Sequence, residues 1–212
     1  MYVMPESCQV KRLGGIYERQ FGDINGVFVD IGAFDGYTHS NVWGLVNAGW
    51  KGICVEPNPI NFKQLVNTYS NCPQVLCLHA AVGKWGNTKI SINQAVSTTS
   101  RDQIKWYQRH GWIGKDVAFE DVASIPLDKI LENCKVEPKF DVLSIDTEGT
   151  EMEIIRDFDI ETWLPKMVII EAHENHPLKG LGRFAIDINN YFAEHKYERI
   201  YNDVINNIYW RV

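Results

Sequence analysis

Five short apolar runs constrain the fold of this chain more than any other feature. They are VFVDIG (27–32), GICVE (52–56), VLCLHAAV (75–82), FDVLSID (140–146) and MVIIEAH (167–173). Each is too short for a helix, rich in Val, Ile or Leu and ended by polar residues, the pattern of strands covered on both faces in a parallel sheet. Helical patterns separate them: SNVWGLVNAG after the first run, PINFKQLVNTYS after the second, TEMEIIRDF after the fourth and RFAIDINNYFAEHK after the fifth. Gly49 reads as a C-terminal stop, Pro59 as a first-turn proline, and Glu151 and Glu153 as acids that complement a helix dipole. Alternating strands and helices require right-handed crossovers and so an open, doubly wound α/β sheet. Near the C-terminus, YERIYN and NNIYWRV lie too close together for an intervening helix and must pair antiparallel. The fold class expected is therefore a Rossmann-like sheet, mostly parallel, with an antiparallel C-terminal strand.

With 212 residues the chain has the length of one domain, 1–212. Residues 1–25 read as an N-terminal helical extension. Residues 87–128 read as a hairpin and irregular insertion, in which KISI (89–92) is a short strand and 93–124 has no regular period. A net charge of −6 argues against a general nucleic-acid binder, which needs a basic surface to neutralise phosphates. Five cysteines, an odd number without a Cys-x-x-Cys pair, indicate neither a disulfide framework nor a zinc cluster. They fit a reducing compartment. No signal-peptide pattern and no apolar window of about 18 residues is present, so the expectation is a cytoplasmic protein without membrane contact.

In open α/β sheets ligands bind beyond the carboxyl ends of the strands, which directs attention to DIGAFDG (30–36). A dinucleotide fingerprint requires Gly-x-Gly-x-x-Gly, yet Gly32 is followed by Ala33 and then Phe34, and Asp35 would repel a pyrophosphate. An NAD-dependent sugar oxidoreductase is disfavoured on that ground. A cationic adenosyl ligand, S-adenosylmethionine, suits the same turn. Gly32 and Gly36 permit close backbone approach, and Asp30 and Asp35 can meet the methionine end. Glu56, in VEPNP, can accept from both ribose hydroxyls. HAAVG (79–83) offers small side chains for the adenine. Taken singly, a glycine turn with an aspartate, or a strand-end glutamate, is common without a cofactor.

FVDIGAFDGYTHSN, GWKGICVEPNPINFKQL, HAAVG, DVLSIDTEGTEMEIIRDFD and MVIIEAH resemble, in order and spacing over roughly 21–201, the FkbM-type S-adenosylmethionine-dependent methyltransferases. The resemblance implies the class I methyltransferase fold, seven strands with the last antiparallel. It also implies O-methyl transfer to a hydroxyl, commonly of a sugar, glycan or polyketide. On matching positions the cofactor contacts are Asp30, Gly32, Ala33, Asp35, Gly36, Glu56 and Ala81. Ser40, Asn41, Pro57, Ala80 and Asp146 stand beside them. The STTS segment (97–100) falls where such proteins close over the cofactor, whereas 101–125 departs from the pattern and leaves the acceptor open.

A sugar hydroxyl is a poor nucleophile, and a base or metal that removes its proton is worth roughly 10²–10⁴-fold. The ends of the fourth and fifth runs supply Asp146, Glu148, Glu171 and His173. Three readings stay open. His173 is a general base oriented by Asp146 or Glu171; or Asp146, Glu171 and His173 hold a divalent cation such as Mg²⁺; or Asp146 and Glu148 serve the turn and cap the next helix while His173 packs. His176 and His39 are secondary candidates, and His79 reads as packed. Trp106, Tyr107 and Trp112, mixed with Arg101, Lys105 and Arg109, are either a sugar platform with an anion grip or a cap over the sheet. The same mixture keeps an RNA or cap acceptor as the alternative, against which the acidic balance weighs.

Overall fold

The computed structural model describes residues 2–93, 96–172, 181–203 and 205–212. Its elements run α1 (Leu13–Phe21), β1 (Val27–Ile31), α2 (Trp43–Asn47), β2 (Lys51–Val55), α3 (Pro59–Thr68), β3 (Val75–Leu78), β4 (Ala81–Val82), β5 (Gly86–Ser91) and α4 (Arg101–Arg109). They continue with β6 (Phe119–Ile125), α5 (Leu127–Asn133), β7 (Val142–Ile145), α6 (Glu151–Asp157), α7 (Ile160–Trp163), β8 (Met167–Glu171), α8 (Leu181–Glu194), β9 (Tyr197–Asn202) and β10 (Asn206–Arg211). The main sheet has seven strands in the order β3-β2-β1-β7-β8-β10-β9. Its first five strands are parallel, and β10 is inserted antiparallel between β8 and β9.

Period-2 alternation sends successive residues of β1 to opposite faces. Val29 and Ile31 join Leu143, Ile145, Val168 and Ile170 beneath α5, α6, α7 and α8. Phe28 joins Cys54, Val142 and Ile169 beneath α1, α2 and α3. Both faces are thus covered, which is why the runs read as nearly continuous apolar stretches. Packing on the second face is tight: a Cβ at Gly52 would lie 1.9 Å from the Phe28 ring. Asp30 shares that face with Phe28 at the carboxyl end of β1, 5% exposed.

Two readings of the middle of the chain are corrected. The run 75–82 is not one strand: β3 ends at Leu78, and Ala81–Val82 pair with β6 in a separate three-stranded sheet, β4-β6-β5. The insertion, in turn, is largely regular. Between β5 and β6 lies α4, whose Ser100 N-cap accepts from the Gln103 amide. Its buried stripe is Gln103, Ile104, Trp106 and Tyr107. Only one of those is aliphatic, and a polar and aromatic stripe of four residues gives the helical period little contrast. α5 and α7 were likewise unforeseen. No helix among the described residues is long and apolar enough to cross a membrane.

Candidate functional site

Strand order reverses between β1 and β7, and a cavity of about 240 Å³ opens there beyond the carboxyl ends of the parallel strands. Of the twelve residues expected around the cofactor, ten line it: Asp30, Gly32, Ala33, Ser40, Asn41, Glu56, Pro57, Ala80, Ala81 and Asp146. His39 does too, with its ring nitrogen 2.9 Å from the Ser7 carbonyl. The glycine turn is built by the neighbouring strand. Gly32 N and Ala33 N donate to Val55 O (2.9 and 3.1 Å), and Phe34 N donates to Glu56 Oε2 at 2.9 Å. Gly32 has φ +84°, and a Cβ on it would lie 1.7 Å from the Asp146 carbonyl oxygen. The residue is glycine because β1 and β7 leave no room there.

Asp35 and Gly36, also expected at the cofactor, do not line the cavity. The Asp35 carboxylate accepts from Tyr37 N (2.8 Å), Thr38 N (2.7 Å) and Thr38 Oγ1 (2.7 Å), closing its own turn. Gly36, at φ +80°, offers its carbonyl to the Tyr69 hydroxyl at 2.6 Å, and a Cβ there would meet Leu65 and Tyr69 at 2.8 Å. Glu56, by contrast, has a structural task that sequence did not reveal. Besides holding Phe34 N it accepts from Asn58 N at 2.8 Å, so one carboxylate links the glycine turn to the start of α3. The STTS segment reaches the same rim: Ser97 and Thr99 line the cavity, and Asn58 Nδ2 donates to Ser97 Oγ at 2.7 Å.

Four carboxylic acids line the cavity, Asp30, Glu56, Asp146 and Glu148, with no lysine or arginine among the described lining residues. Burial pushes the Asp30 carboxyl up to about 7, and the nearby Asp146 adds to this against the opposing Ser144 hydrogen bond. Burial likewise raises Glu56 to about 7, partly offset by the Asn58 and Phe34 amides. An acid whose folded pKa lies above its unfolded value stabilises the fold below the unfolded pKa, and that stability is lost as pH rises to the folded one. The window here runs from about 4 to about 7. Asp30→Asn, which removes the buried charge but not the polar contact, should therefore stabilise the protein by about 2–4 kcal/mol at pH 8 and little at pH 4.5. Urea unfolding at the two pH values checks this, and an equal effect at both would refute it.

A second cavity, of about 460 Å³, adjoins the first; Gln9 and Glu148 line both. Its remaining walls include Trp106, Tyr107 and Trp112 from α4 and the following turn, Glu171 at the end of β8, and Asp203 and Asn206 of the β9–β10 hairpin. At the junction, carboxylate oxygens of Asp146, Glu148 and Glu171 lie within 4.8 Å of one another. Glu171 is 7% exposed. Burial first, then the charges on Asp146 and Glu151, hold Glu171 well above the usual carboxylate range. Glu148 is held up in the same way, by burial and then by Glu171 and Asp146.

Glu148 itself, with φ +59°, accepts a hydrogen bond from the Tyr107 hydroxyl, and its backbone carbonyl accepts from Thr98 Oγ1 at 2.8 Å. The side chain that closes the turn before α6 is Glu151, which accepts from Thr147 N, Thr147 Oγ1 and Gly149 N at 2.8–3.1 Å. His173 and His176 lie outside the described residues. His79 is exposed rather than packed in a strand, stacked on Phe62 with Nε2 3.0 Å from the Pro57 carbonyl. Arg101, Lys105 and Arg109 are exposed and line neither cavity. Sequence reasoning gave no catalytic role to Glu148, although its place two residues after Asp146 at a strand end was a usable signal. Nothing in the sequence marked Gln9.

A family model described as the methyltransferase FkbM domain matches residues 30–199. Among curated proteins no sequence matches the chain. The fold is similar to that of the precorrin-6y C5,15-methyltransferase from Geobacter metallireducens GS-15, at TM-score 0.51 and 12% identity over 100% of this chain and 94% of that one. It is similar also to the SAH-bound Podospora anserina methyltransferase PaMTH1, at TM-score 0.54 and 10% identity over 94% and 76%. At these identities both likenesses are likenesses of fold. The family match is of another kind, because it starts at the buried acid on β1 and runs through both cavity-lining strand ends into β9: the chain belongs to the FkbM family of S-adenosylmethionine-dependent methyltransferases.

Proposed function

We propose that the protein transfers a methyl group to a hydroxyl of a sugar or glycan, with the 240 Å³ cavity as the donor site and the acid cluster at its mouth as the place where the hydroxyl loses its proton. The observation that carries this reading is the charge of the first cavity: four acids, a glycine floor and no lysine or arginine among its described lining residues. That lining is suited to a sulfonium and an ammonium and hostile to a diphosphate.

When bound, S-adenosylmethionine supplies an electrophilic methyl carbon whose leaving group is already good. The protein's share is then placement and proton removal. Asp30 and Asp146 face the cationic end of the donor, and Glu56 accepts from the ribose hydroxyls. Ala80 and Ala81, both nearly fully buried, leave room for the flat base. Asp146, Glu148 and Glu171 stand between the two cavities and receive the hydroxyl proton. As three clustered hard oxygen donors they also fit a divalent cation such as Mg²⁺, which would acidify the same hydroxyl.

The direct test is calorimetry with S-adenosylmethionine and NAD, followed by transfer of labelled methyl into free sugars, glycans and RNA. Tight NAD binding with none of the sulfonium donor would defeat the donor-site assignment, and labelling of RNA alone would defeat the acceptor class. Glu56→Gln keeps the shape of the side chain but exchanges one of its two oxygens, each of which also holds a backbone amide of the turn, for an NH₂ group, so one ribose acceptor and one turn contact are lost together. Donor affinity is expected to fall about ten- to a hundredfold. Unchanged affinity would remove Glu56 from the ribose.

A further inference from the structure

We propose that the second cavity is the acceptor site and that it selects a neutral saccharide without phosphate, laid against Trp112 with its reacting hydroxyl directed at Glu148 and a neighbouring hydroxyl at Gln9. The proposal rests on the donor-site reading above and adds to it a place and a charge class for the acceptor.

The position follows from shared walls. Gln9 and Glu148 line both cavities, so a molecule filling the second presents its inner edge to the first at these two side chains. Gln9 Oε1 is buried without a hydrogen-bond partner, an acceptor that requires a donor such as a hydroxyl. At about 460 Å³ the cavity falls within the roughly 300–1,000 Å³ of small-molecule sites.

The wall is aromatic and ordered outward. Trp106 and Tyr107 are buried at 5% and 2% exposure, whereas Trp112 is 62% exposed. Trp112 stacks on Tyr107 at 5.5 Å and 15°, and meets Trp106 edge-on at 5.3 Å and 70°. Tyr107 and Trp106 thereby fix the indole plane, and much of its surface stays open. An aromatic face beside amide and carboxylate acceptors suits a saccharide, whose C–H faces are apolar and whose rim is hydroxyl.

Charge decides the class. The described lining residues carry three acids, Glu148, Glu171 and Asp203, against one cation, Lys11. The basic residues of α4 lie on its exposed side, where Lys105 pairs with Asp102 at 3.1 Å. A sugar phosphate, nucleotide sugar or RNA strand would set its phosphate against this acid-rich wall, where Lys11 is the one basic group among the described lining residues.

The test is saturation-transfer NMR of the full chain with methyl glycosides of glucose, galactose, mannose, fucose and rhamnose, compared with glucose 1-phosphate, UDP-glucose and a short single-stranded RNA. At least one neutral glycoside is expected to bind, and the phosphate-bearing probes are not. Trp112→Ala, at an exposed position that leaves both main cores intact, should weaken that glycoside about tenfold or more, the usual loss for a truncated aromatic anchor. Its donor affinity by calorimetry should not change. Gln9→Leu should also weaken the glycoside. Preference for a phosphate-bearing probe, failure of every neutral glycoside, or full glycoside affinity in Trp112→Ala overturns the proposal. Failure of the unaltered protein to bind S-adenosylmethionine instead counts against the donor-site reading, so the two failures are distinct.

Discussion

Replacing Gly32 by alanine is expected to destabilise the protein by about 3–5 kcal/mol and to abolish donor binding. Two costs combine. At φ +84° an L-residue is in a conformation it rarely adopts, a penalty of about 1–2 kcal/mol. The larger cost is steric, because the new methyl would lie 1.7 Å from the Asp146 carbonyl oxygen, and that oxygen belongs to the backbone. Relief would require β1 and β7 to separate where Asp146 N donates to Ile31 O at 2.9 Å. The same separation would displace Asp30, Asp146 and the turn that Glu56 holds, so stability and donor affinity should fall together. Urea unfolding and calorimetry measure the two effects. Gly15→Ala in α1 is the control: a Cβ there meets nothing within 4 Å, and the change should be neutral or stabilise by about 0.5–1 kcal/mol. A Gly32→Ala protein with the parental midpoint would show that the strands are not packed as described.

The second large effect is expected at Glu148. Glu148→Gln should lower kcat about 10²–10⁴-fold, the usual contribution of a positioned proton acceptor. Glu148 is singled out within its cluster because it alone of the three acids lines both cavities and is oriented by the Tyr107 hydroxyl. Burial, Glu171 and Asp146 hold its carboxyl above the usual carboxylate range, so a cation at the cluster would favour the charged form. Turnover measured with and without a chelator identifies that cation. Activity that survives chelation assigns the task to the sulfonium of the donor, and activity restored by Mg²⁺ assigns it to a metal on Asp146, Glu148 and Glu171. A Glu148→Gln protein with parental kcat would place proton removal elsewhere.

The particular residues show where sequence was informative. Val29, Ile31, Ile53 and Val55 read as parallel strands because both sheet faces are covered by helices, and that leaves a mark on every residue of a run. The ends of those strands then placed ten of twelve expected residues around one cavity. The two exceptions, Asp35 and Gly36, lie in the same turn as Asp30. Composition cannot separate Asp30 from Asp35: both are acids within two residues of a glycine. The difference comes from Phe34 at φ +50°, which reverses the chain so that Asp35 closes on Thr38. α4 escaped notice for a related reason, since its buried stripe faces a small satellite cluster with Ile113 and not the main core.

Sequence by itself therefore determined the doubly wound, mostly parallel sheet, its antiparallel end and the acids at the strand tips, because these depend on periodicity and burial, which act along the chain. The tertiary structure alone decided which acids share a cavity, that Glu148 joins two of them, and that Gln9 and α4 wall the second. Those relations link residues distant in the chain, Asp30 with Asp146 and Gln9 with Glu148 among them, and they are set by how close two backbones approach and where a few left-handed residues turn the chain.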